Sequence, residues 1–229
     1  MTIGPALQRV RSSFRNSVGT IVFGMEDGTV SIFGLIFGVA ATTSDPKTVL
    51  IAGASGAAAA AVSMMAGAYL DVETTRDQAS AARASFDAAA GSTASLASRL
   101  ALAGLTSAQS NSLAAAVQND PDAASGLMRA LQGAPQQLFN PMEQALWMLF
   151  ADFLAAAVPI LPFVFMPVLH ARFVSGAVTL ALLVGLGIGR AQIAKRDTLR
   201  TVLETVAIGI AAALAGVALG VLVDRLFAL

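Results

Sequence analysis

Five long apolar segments constrain this chain more than any other feature of its sequence. They cover about 18–42, 47–70, 142–163, 168–189 and 199–223. Each is close to the roughly 20 residues that a helix needs to cross the hydrocarbon core of a bilayer. Backbone polar groups in lipid must be paired within the segment, which favours helices. The sequence therefore predicts an all-α integral membrane protein with five transmembrane helices.

The composition agrees with a membrane protein and excludes several other classes. Hydrophobic residues make up 56% of the 229 residues and charged residues only 12%, against roughly 25% charged in soluble domains. The chain has no cysteine, which excludes disulfides, thiolate metal sites and cysteine nucleophiles. A formal net charge of zero argues against a nucleic-acid partner. No serine in the apolar segments is backed by a histidine and an acid, so we do not expect an enzyme.

The stretch between the second and third apolar segments, residues 71–140, is too polar to cross a bilayer. Thr106 with Gln109 fits a capping box, and Asp120 followed by Pro121 fits a helix start. We therefore expect a small cytosolic helical domain here. The predicted organisation is an N-terminal cytosolic segment (1–17), helices one and two (18–70), this domain (71–140) and helices three to five (141–229).

The distribution of Lys and Arg predicts the orientation. If the amino terminus is cytosolic, 11 of the 14 basic residues lie on the cytosolic side, and only Lys47, Arg172 and Arg225 lie opposite. Retained basic residues mark the cytoplasmic face of membrane proteins. We therefore expect the amino terminus and residues 71–140 in the cytosol and the carboxyl terminus on the opposite side.

Four acidic side chains lie more than one turn inside the apolar segments and need a reason to be there. They are Glu26, Asp27, Asp152 and Glu204. A charge at the centre of a bilayer costs about 2.5 to 3.5 kcal/mol on insertion scales. Segments one, three and five enter from the same side, so the acids can share one level with Met64 of segment two. Carboxylates with a thioether suit a borderline transition ion such as Fe²⁺ or Mn²⁺.

Two other interpretations of these residues stay open. A methionine in an apolar helix more often packs than binds metal. A buried Asp27 can instead be protonated and hydrogen-bond to a neighbouring helix.

Glycines spaced four residues apart occur in the first and last apolar segments. They are Gly24 with Gly28, Gly34 with Gly38, and Gly216 with Gly220. Small residues at this spacing let helix backbones approach closely. We expect tight helix packing, and close packing of two copies fits a homodimer.

Two runs of residues resemble the vacuolar iron transporter family. Residues 24–31, Gly-Met-Glu-Asp-Gly-Thr-Val-Ser, are similar to the family's Asp-Gly-x-x-Ser signature. Residues 62–70, Val-Ser-Met-Met-Ala-Gly-Ala-Tyr-Leu, resemble its Ser-Met and Gly-Glu-Tyr segment. The resemblance implies a homodimer of five-span chains with a cytosolic metal-binding domain. It also implies that Asp27 carries metal and protons and that Met64 is the methionine of the transport site.

The function implied by the resemblance is proton-coupled export of ferrous iron or manganese from the cytosol. The ion is then cargo rather than a cofactor, and the expected partners are membrane lipid, the ion, protons and a second copy. The alternative is a non-transporting membrane protein of the same fold with a binding or regulatory role.

The 71–140 domain departs from the family pattern. Ala68 stands where the family has the Glu of Gly-Glu-Tyr, and Gln132 stands where a Glu is expected one turn after Met128. The helix after Tyr69 offers only four acids, Asp71, Glu73, Asp77 and Asp87. Because many converging carboxylates cannot be built from these residues, we expect an acid-depleted domain with little metal binding.

Overall fold

The computed structural model describes residues 4–90, 96–117, 120, 122–123, 127 and 140–227, and all regular secondary structure among them is helical. The helices are α1 (Gly4–Thr42), α2 (Pro46–Ala90), α3 (Leu96–Leu102), α4 (Ser107–Val117), α5 (Pro141–Ile160), α6 (Pro162–Phe165), α7 (Val168–Ala194) and α8 (Thr198–Phe227). The chain forms two compact units, one of residues 1–70 with 141–229 and one of residues 71–140.

Five of the described helices are long and apolar enough to cross a membrane. The candidate spans are Val10–Thr42, Pro46–Ala81, Pro141–Ile160, Val168–Ala194 and Thr198–Phe227. The prediction of an all-helical, multi-pass membrane protein with five spans is confirmed.

The helix ends differ from the bounds predicted by hydropathy. α1 begins at Gly4 rather than near residue 18, because residues 6–17 contain neither Pro nor Gly and nothing stops the helix there. α5 ends at Ile160, shortly before Pro162, whose ring disfavours a continuous helix. α7 continues to Ala194 and ends where Lys195 adopts a left-handed φ of 51°. Helix breakers, and not the edges of the apolar segments, set these bounds.

Aspartate caps define the starts of two membrane helices. Asp45 accepts hydrogen bonds from the backbone amides of Lys47 and Thr48, each at 3.1 Å, at the start of α2. Asp197 accepts one from the backbone amide of Arg200 at 2.8 Å, at the start of α8. A side-chain acceptor at this position satisfies amides that have no partner within the helix.

The described part of the second unit contains α3, α4 and the residues around Asp120. The backbone amide of Thr106 donates to Gln109 Oε1 at 3.0 Å, and the amide of Gln109 donates to Thr106 Oγ1 at 3.4 Å. The predicted capping box is therefore confirmed. Asp120 Oδ1 accepts from the backbone amides of Asp122 and Ala123, both at 3.0 Å. Pro121, Met128, Gln132 and the side chain of Asp87 lie outside the described residues.

α1 is the central helix of the first unit and contacts α5, α7 and α8. One of its faces carries Ile32, Ile36 and Ala40, which recur every four residues. These side chains form an apolar core with buried residues of the other helices, namely Val49, Ala57, Ala156, Phe163, Val168 and Ala171. The core therefore joins every membrane-spanning helix except α8 to α1.

Contacts along α1 give the direction of its neighbours. α5 runs parallel to α1, because Ser13 bonds to Glu143 near the start of both helices and Gly28 meets Asp152 further along. α8 is also parallel, since its contacts with α1 advance from Thr205 to Gly216 as α1 advances. α2 and α7 run antiparallel, as a serpentine path requires. Helices α1, α5 and α8 thus start from the same side, as the sequence predicted.

The glycine rows pack helices of the same chain against each other. A Cβ atom on Gly38 would be 2.6 Å from the carbonyl oxygen of Gly216, and one on Gly34 would be 2.9 Å from that of Ala212. Only small residues permit this approach of α1 and α8. The glycines therefore explain packing within one chain and are not evidence for a homodimer.

Candidate functional site

A cavity of about 390 Å³ lies beside α1, bounded by α7 and α8. Its charged lining residues are Glu26, Asp27 and Arg190. The remaining lining residues are apolar or glycine, Val22 and Phe23 among them. Charged groups among apolar walls inside a membrane-spanning bundle cost free energy, so their presence indicates a functional role for this cavity.

Glu26 is held by two side chains from neighbouring helices. Arg190 Nη1 of α7 donates to Glu26 Oε1 at 2.9 Å, and the Thr205 hydroxyl of α8 donates to the same oxygen at 3.1 Å. The Glu26 side chain is 12% exposed and that of Arg190 is 39% exposed. The charge of Glu26 is therefore compensated inside the protein.

Asp27 points in a different direction, because consecutive residues of a helix are about 100° apart. Asp152 of α5 packs against Gly28, the residue that follows Asp27 in α1. The structure therefore brings two of the predicted acids, Asp27 and Asp152, to neighbouring positions.

Asp152 is fully buried, and neither carboxylate oxygen has a hydrogen-bond partner among the described residues. It packs against Gly28, where a Cβ atom would be 2.8 Å from Asp152 Oδ1. An isolated carboxylate anion is highly unfavourable in such a place. A proton or a compensating cation would stabilise the group there.

Glu204 lies at the predicted level but on another face of its helix. Its neighbour in sequence, Thr205, reaches Glu26. Glu204 itself pairs with Arg200 at 3.1 Å and with Arg196 at 3.6 Å, and its side chain is 36% exposed. The structure does not bring Glu204 together with the buried acids.

Met64 is half-buried on α2 and does not belong to the described lining of the cavity. Gly56, two turns earlier on α2, packs against Ile32 and Leu35. Because α2 is antiparallel to α1, Met64 lies at about the level of Gly24 on α1. Its level agrees with the prediction, but no described contact joins it to the acids.

Within the described parts of the chain, no three His, Asp or Glu side chains are close enough together to hold a metal ion. The candidate site is therefore a set of acids in two arrangements. Asp27 is next to Gly28, which the buried Asp152 contacts, and Glu26 is neutralised by Arg190.

The sequence interpretation missed Arg190 and Thr205 as members of this site. Arg190 stood just after the fourth apolar segment and was counted among the flanking basic residues. The extension of α7 to Ala194 instead places Arg190 inside the helix. A long arginine side chain near the end of an apolar helix can reach an acid on a neighbouring helix. The position of Arg190 directly after the fourth apolar segment is the sequence feature that could have identified it.

Comparison with known families gives one match. A family model described as the VIT family matches residues 18–221. No curated protein matches the chain closely enough to count as a relative. The matched range begins just before the cavity acids of α1 and ends near the end of α8, so it includes every candidate residue described above.

Proposed function

Because the chain belongs to the VIT family, whose members are membrane metal-ion transporters and not enzymes, we propose that it exports Fe²⁺ or Mn²⁺ from the cytosol in exchange for protons. Asp27 binds the ion in the cavity beside α1. Asp152 carries one of the protons that move in the opposite direction. The protein needs no resident cofactor, because the ion is its cargo.

The observation that carries this proposal is the buried Asp152 carboxyl beside Asp27. Asp152 has no hydrogen-bond partner among the described residues, so its charge must be removed by a proton or balanced by a cation. Asp27 lines the cavity and is followed in α1 by Gly28, against which Asp152 packs. A cation bound at Asp27 favours the ionised form of Asp152, and departure of the cation favours its protonated form. Occupancy by ion and by proton is thereby coupled.

The other predicted residues have more peripheral roles in this proposal. Met64 supplies a thioether at the same level of the bundle, which favours softer transition ions over Mg²⁺. Glu26 is a further ligand when its pairing with Arg190 is released. Glu204, near the start of α8, is an acid at the entrance beside Arg196 and Arg200.

The orientation and assembly in this proposal follow from the sequence. The excess of Lys and Arg puts the amino terminus and residues 71–140 in the cytosol, with the carboxyl terminus opposite. Helices α1, α5 and α8 then start at the cytosolic side, and ions enter the cavity from there. We propose a homodimer on the family resemblance alone.

The test is metal flux in proteoliposomes that contain the purified chain. Fe²⁺, Mn²⁺ and Mg²⁺ are offered in turn, with and without a pH gradient, and vesicles without protein serve as the control. We expect saturable uptake of Fe²⁺ or Mn²⁺ that accelerates when the opposite side is acidic. Uptake equal to that of empty vesicles for all three ions would contradict transport.

One observation favours the second candidate, a non-transporting binding or regulatory protein. Glu26 is already neutralised by Arg190, and no three-donor acidic group occurs in the described part of the chain. This candidate predicts no metal flux in the vesicle assay, whether or not the purified protein binds metal. The flux experiment therefore separates the two functions.

A further inference from the structure

Among the residues that the structure describes, Arg190 is the one basic residue in the lining of the cavity, which also contains Glu26 and Asp27. With both acids ionised, the cavity carries a formal charge of −1. Without the arginine it would carry −2, which matches a divalent cation. The chain thus places a cation of its own where the proposed cargo must bind.

Arg190 uses an oxygen that a metal ion would need. Its Nη1 lies 2.9 Å from Glu26 Oε1, and Thr205 donates to the same atom. A metal ion would approach a carboxylate oxygen to about 2.0 to 2.6 Å. The guanidinium and a divalent ion cannot both occupy this position, because their charges repel and the oxygen already accepts two hydrogen bonds.

Arg190 is also able to leave. Its side chain is 39% exposed, whereas that of Glu26 is 12% exposed. It is one turn from the end of α7 at Ala194, and a long arginine side chain near a helix end can swing toward the water interface. Glu26 is fixed by comparison, since Thr205 is fully buried and holds its carboxylate.

We propose that Arg190 is a built-in competing counter-ion, which must leave Glu26 when a divalent cation binds and thereby sets the affinity and selectivity of the cavity. Monovalent ions carry no more charge than the guanidinium and do not displace it. Mg²⁺ gives up its water reluctantly, so it displaces Arg190 less readily than Mn²⁺. This inference rests on the proposed function for the nature of the ion.

The test is calorimetric titration of the full-length protein in detergent with Mn²⁺ and with Mg²⁺. Arg190→Gln should bind Mn²⁺ about tenfold more tightly than the unmodified protein. Mg²⁺, which displaces Arg190 less readily, should gain by a larger factor, so that the preference for Mn²⁺ over Mg²⁺ falls. Arg190→Lys keeps the charge and should stay close to the unmodified protein. Arg225→Gln is the matched control, because Arg225 is exposed near the end of α8 and lies outside the described lining of the cavity, and it should change nothing.

A double substitution separates competition from a structural role. In the Glu26→Gln background, Arg190→Gln should give a clearly smaller gain in affinity, because the guanidinium no longer competes for the Glu26 carboxylate and acts only through its charge near Asp27. Unchanged or weaker Mn²⁺ binding by Arg190→Gln would overturn the inference. An equal gain in the Glu26→Gln background would also overturn it.

A measurement on the unmodified protein covers the case in which Arg190→Gln does not fold. Phenylglyoxal labels exposed arginines, and mass spectrometry of the peptides reports the rate at each position. Mn²⁺ should accelerate labelling of Arg190 and leave Arg172 unchanged. A rate at Arg190 that stays constant or falls would overturn the proposal.

Vesicle flux distinguishes this inference from the proposed function. Tighter binding by Arg190→Gln without any flux in the unmodified protein supports the counter-ion and contradicts transport. Flux in the unmodified protein with unchanged affinity in Arg190→Gln supports transport and overturns the counter-ion.

Discussion

Gly28 of α1 lies directly against Asp152 of α5, so that a Cβ atom at position 28 would be 2.8 Å from Asp152 Oδ1. The missing side chain is what lets a carboxyl group fit, fully buried, between two packed helices. The two consecutive residues Asp27 and Gly28 therefore have linked tasks. Asp27 lines the cavity, and Gly28 makes the contact that accommodates Asp152.

Gly28→Ala should destabilise the protein, although alanine is the better helix former. The added methyl group meets the backbone and side chain of Asp152 and forces the helices apart, at a cost of about 1 to 3 kcal/mol. Thermal unfolding in detergent measures the change. The control is Gly185→Ala in α7, where no atom lies within 4 Å of the added Cβ, and it should be neutral or stabilising. Equal melting temperatures for the two variants would refute the tight contact.

Asp152→Asn should uncouple protons from metal movement. The amide is nearly the same size and neutral, so it fills the site against Gly28 without binding a proton. We expect a monodisperse protein that no longer moves protons when metal enters vesicles, measured with a pH-sensitive dye. Proton movement equal to that of the unmodified protein would show that another group carries the proton.

The sequence predicted the depth of the site in the membrane better than the direction in which its side chains point. Hydropathy located the membrane helices. The rise per residue placed Glu204 nearer the surface than Glu26, and the common direction of segments one, three and five allowed both acids to share one level. Which way each side chain points depends on the rotation of α8 in the bundle, and glycine packing against Gly34 and Gly38 sets that rotation. Rotation cannot be read from hydropathy, so the turning of Glu204 toward Arg200 was not predictable.

Arg190 shows a second limit of sequence-based prediction. The apolar segment ended at residue 189, so Arg190 was assigned to a cytosolic turn. The helix continues for one more turn, because no breaker occurs before Lys195 takes its left-handed conformation. The pair with Glu26 joins residues far apart in the chain, and only the folded structure reveals it.

The cap at the start of α2 gives a pH-dependent prediction. Hydrogen bonds, first from the Thr48 hydroxyl and then from the backbone amide of Lys47, hold the pKa of Asp45 below its ordinary value of 3.8. The ionised cap stabilises the folded protein fully at a pH above the pKa that Asp45 has in the unfolded chain. This stabilisation is lost as the pH falls through the lower pKa that Asp45 has in the folded protein. Asp45→Ala should therefore lower the melting temperature at pH 7.

The difference in melting temperature between Asp45→Ala and the unmodified protein should shrink as the pH falls below about 3.8. Asp224→Ala, at an exposed position of α8, is the comparison and should show little difference at either pH. If the melting temperature of Asp45→Ala stays below that of the unmodified protein by a constant amount down to strongly acidic pH, the cap is not ionised.

The 71–140 unit should bind metal only weakly. Its described acids are Asp71, Glu73, Asp77, Asp120 and Asp122, and Asp120 already caps a helix start. Tight binding of hard cations needs several converging carboxylates. In full-length Asp27→Asn, where the membrane site is disabled, Mn²⁺ titration should show only millimolar-scale binding, about the strength of low-charge oxygen sites. Micromolar binding at several sites would show that this unit still collects metal.

The most direct test of the account is Fe²⁺ and Mn²⁺ flux by Asp27→Asn in proteoliposomes. The substitution keeps the shape of the side chain and removes the charge that we assign to ion binding. Asp224→Asn, an identical change at an exposed position away from the cavity, is the matched control. We predict that flux falls to that of empty vesicles in Asp27→Asn and stays normal in Asp224→Asn, with equal yields of folded protein. Flux in Asp27→Asn equal to that of the unmodified protein would contradict the account.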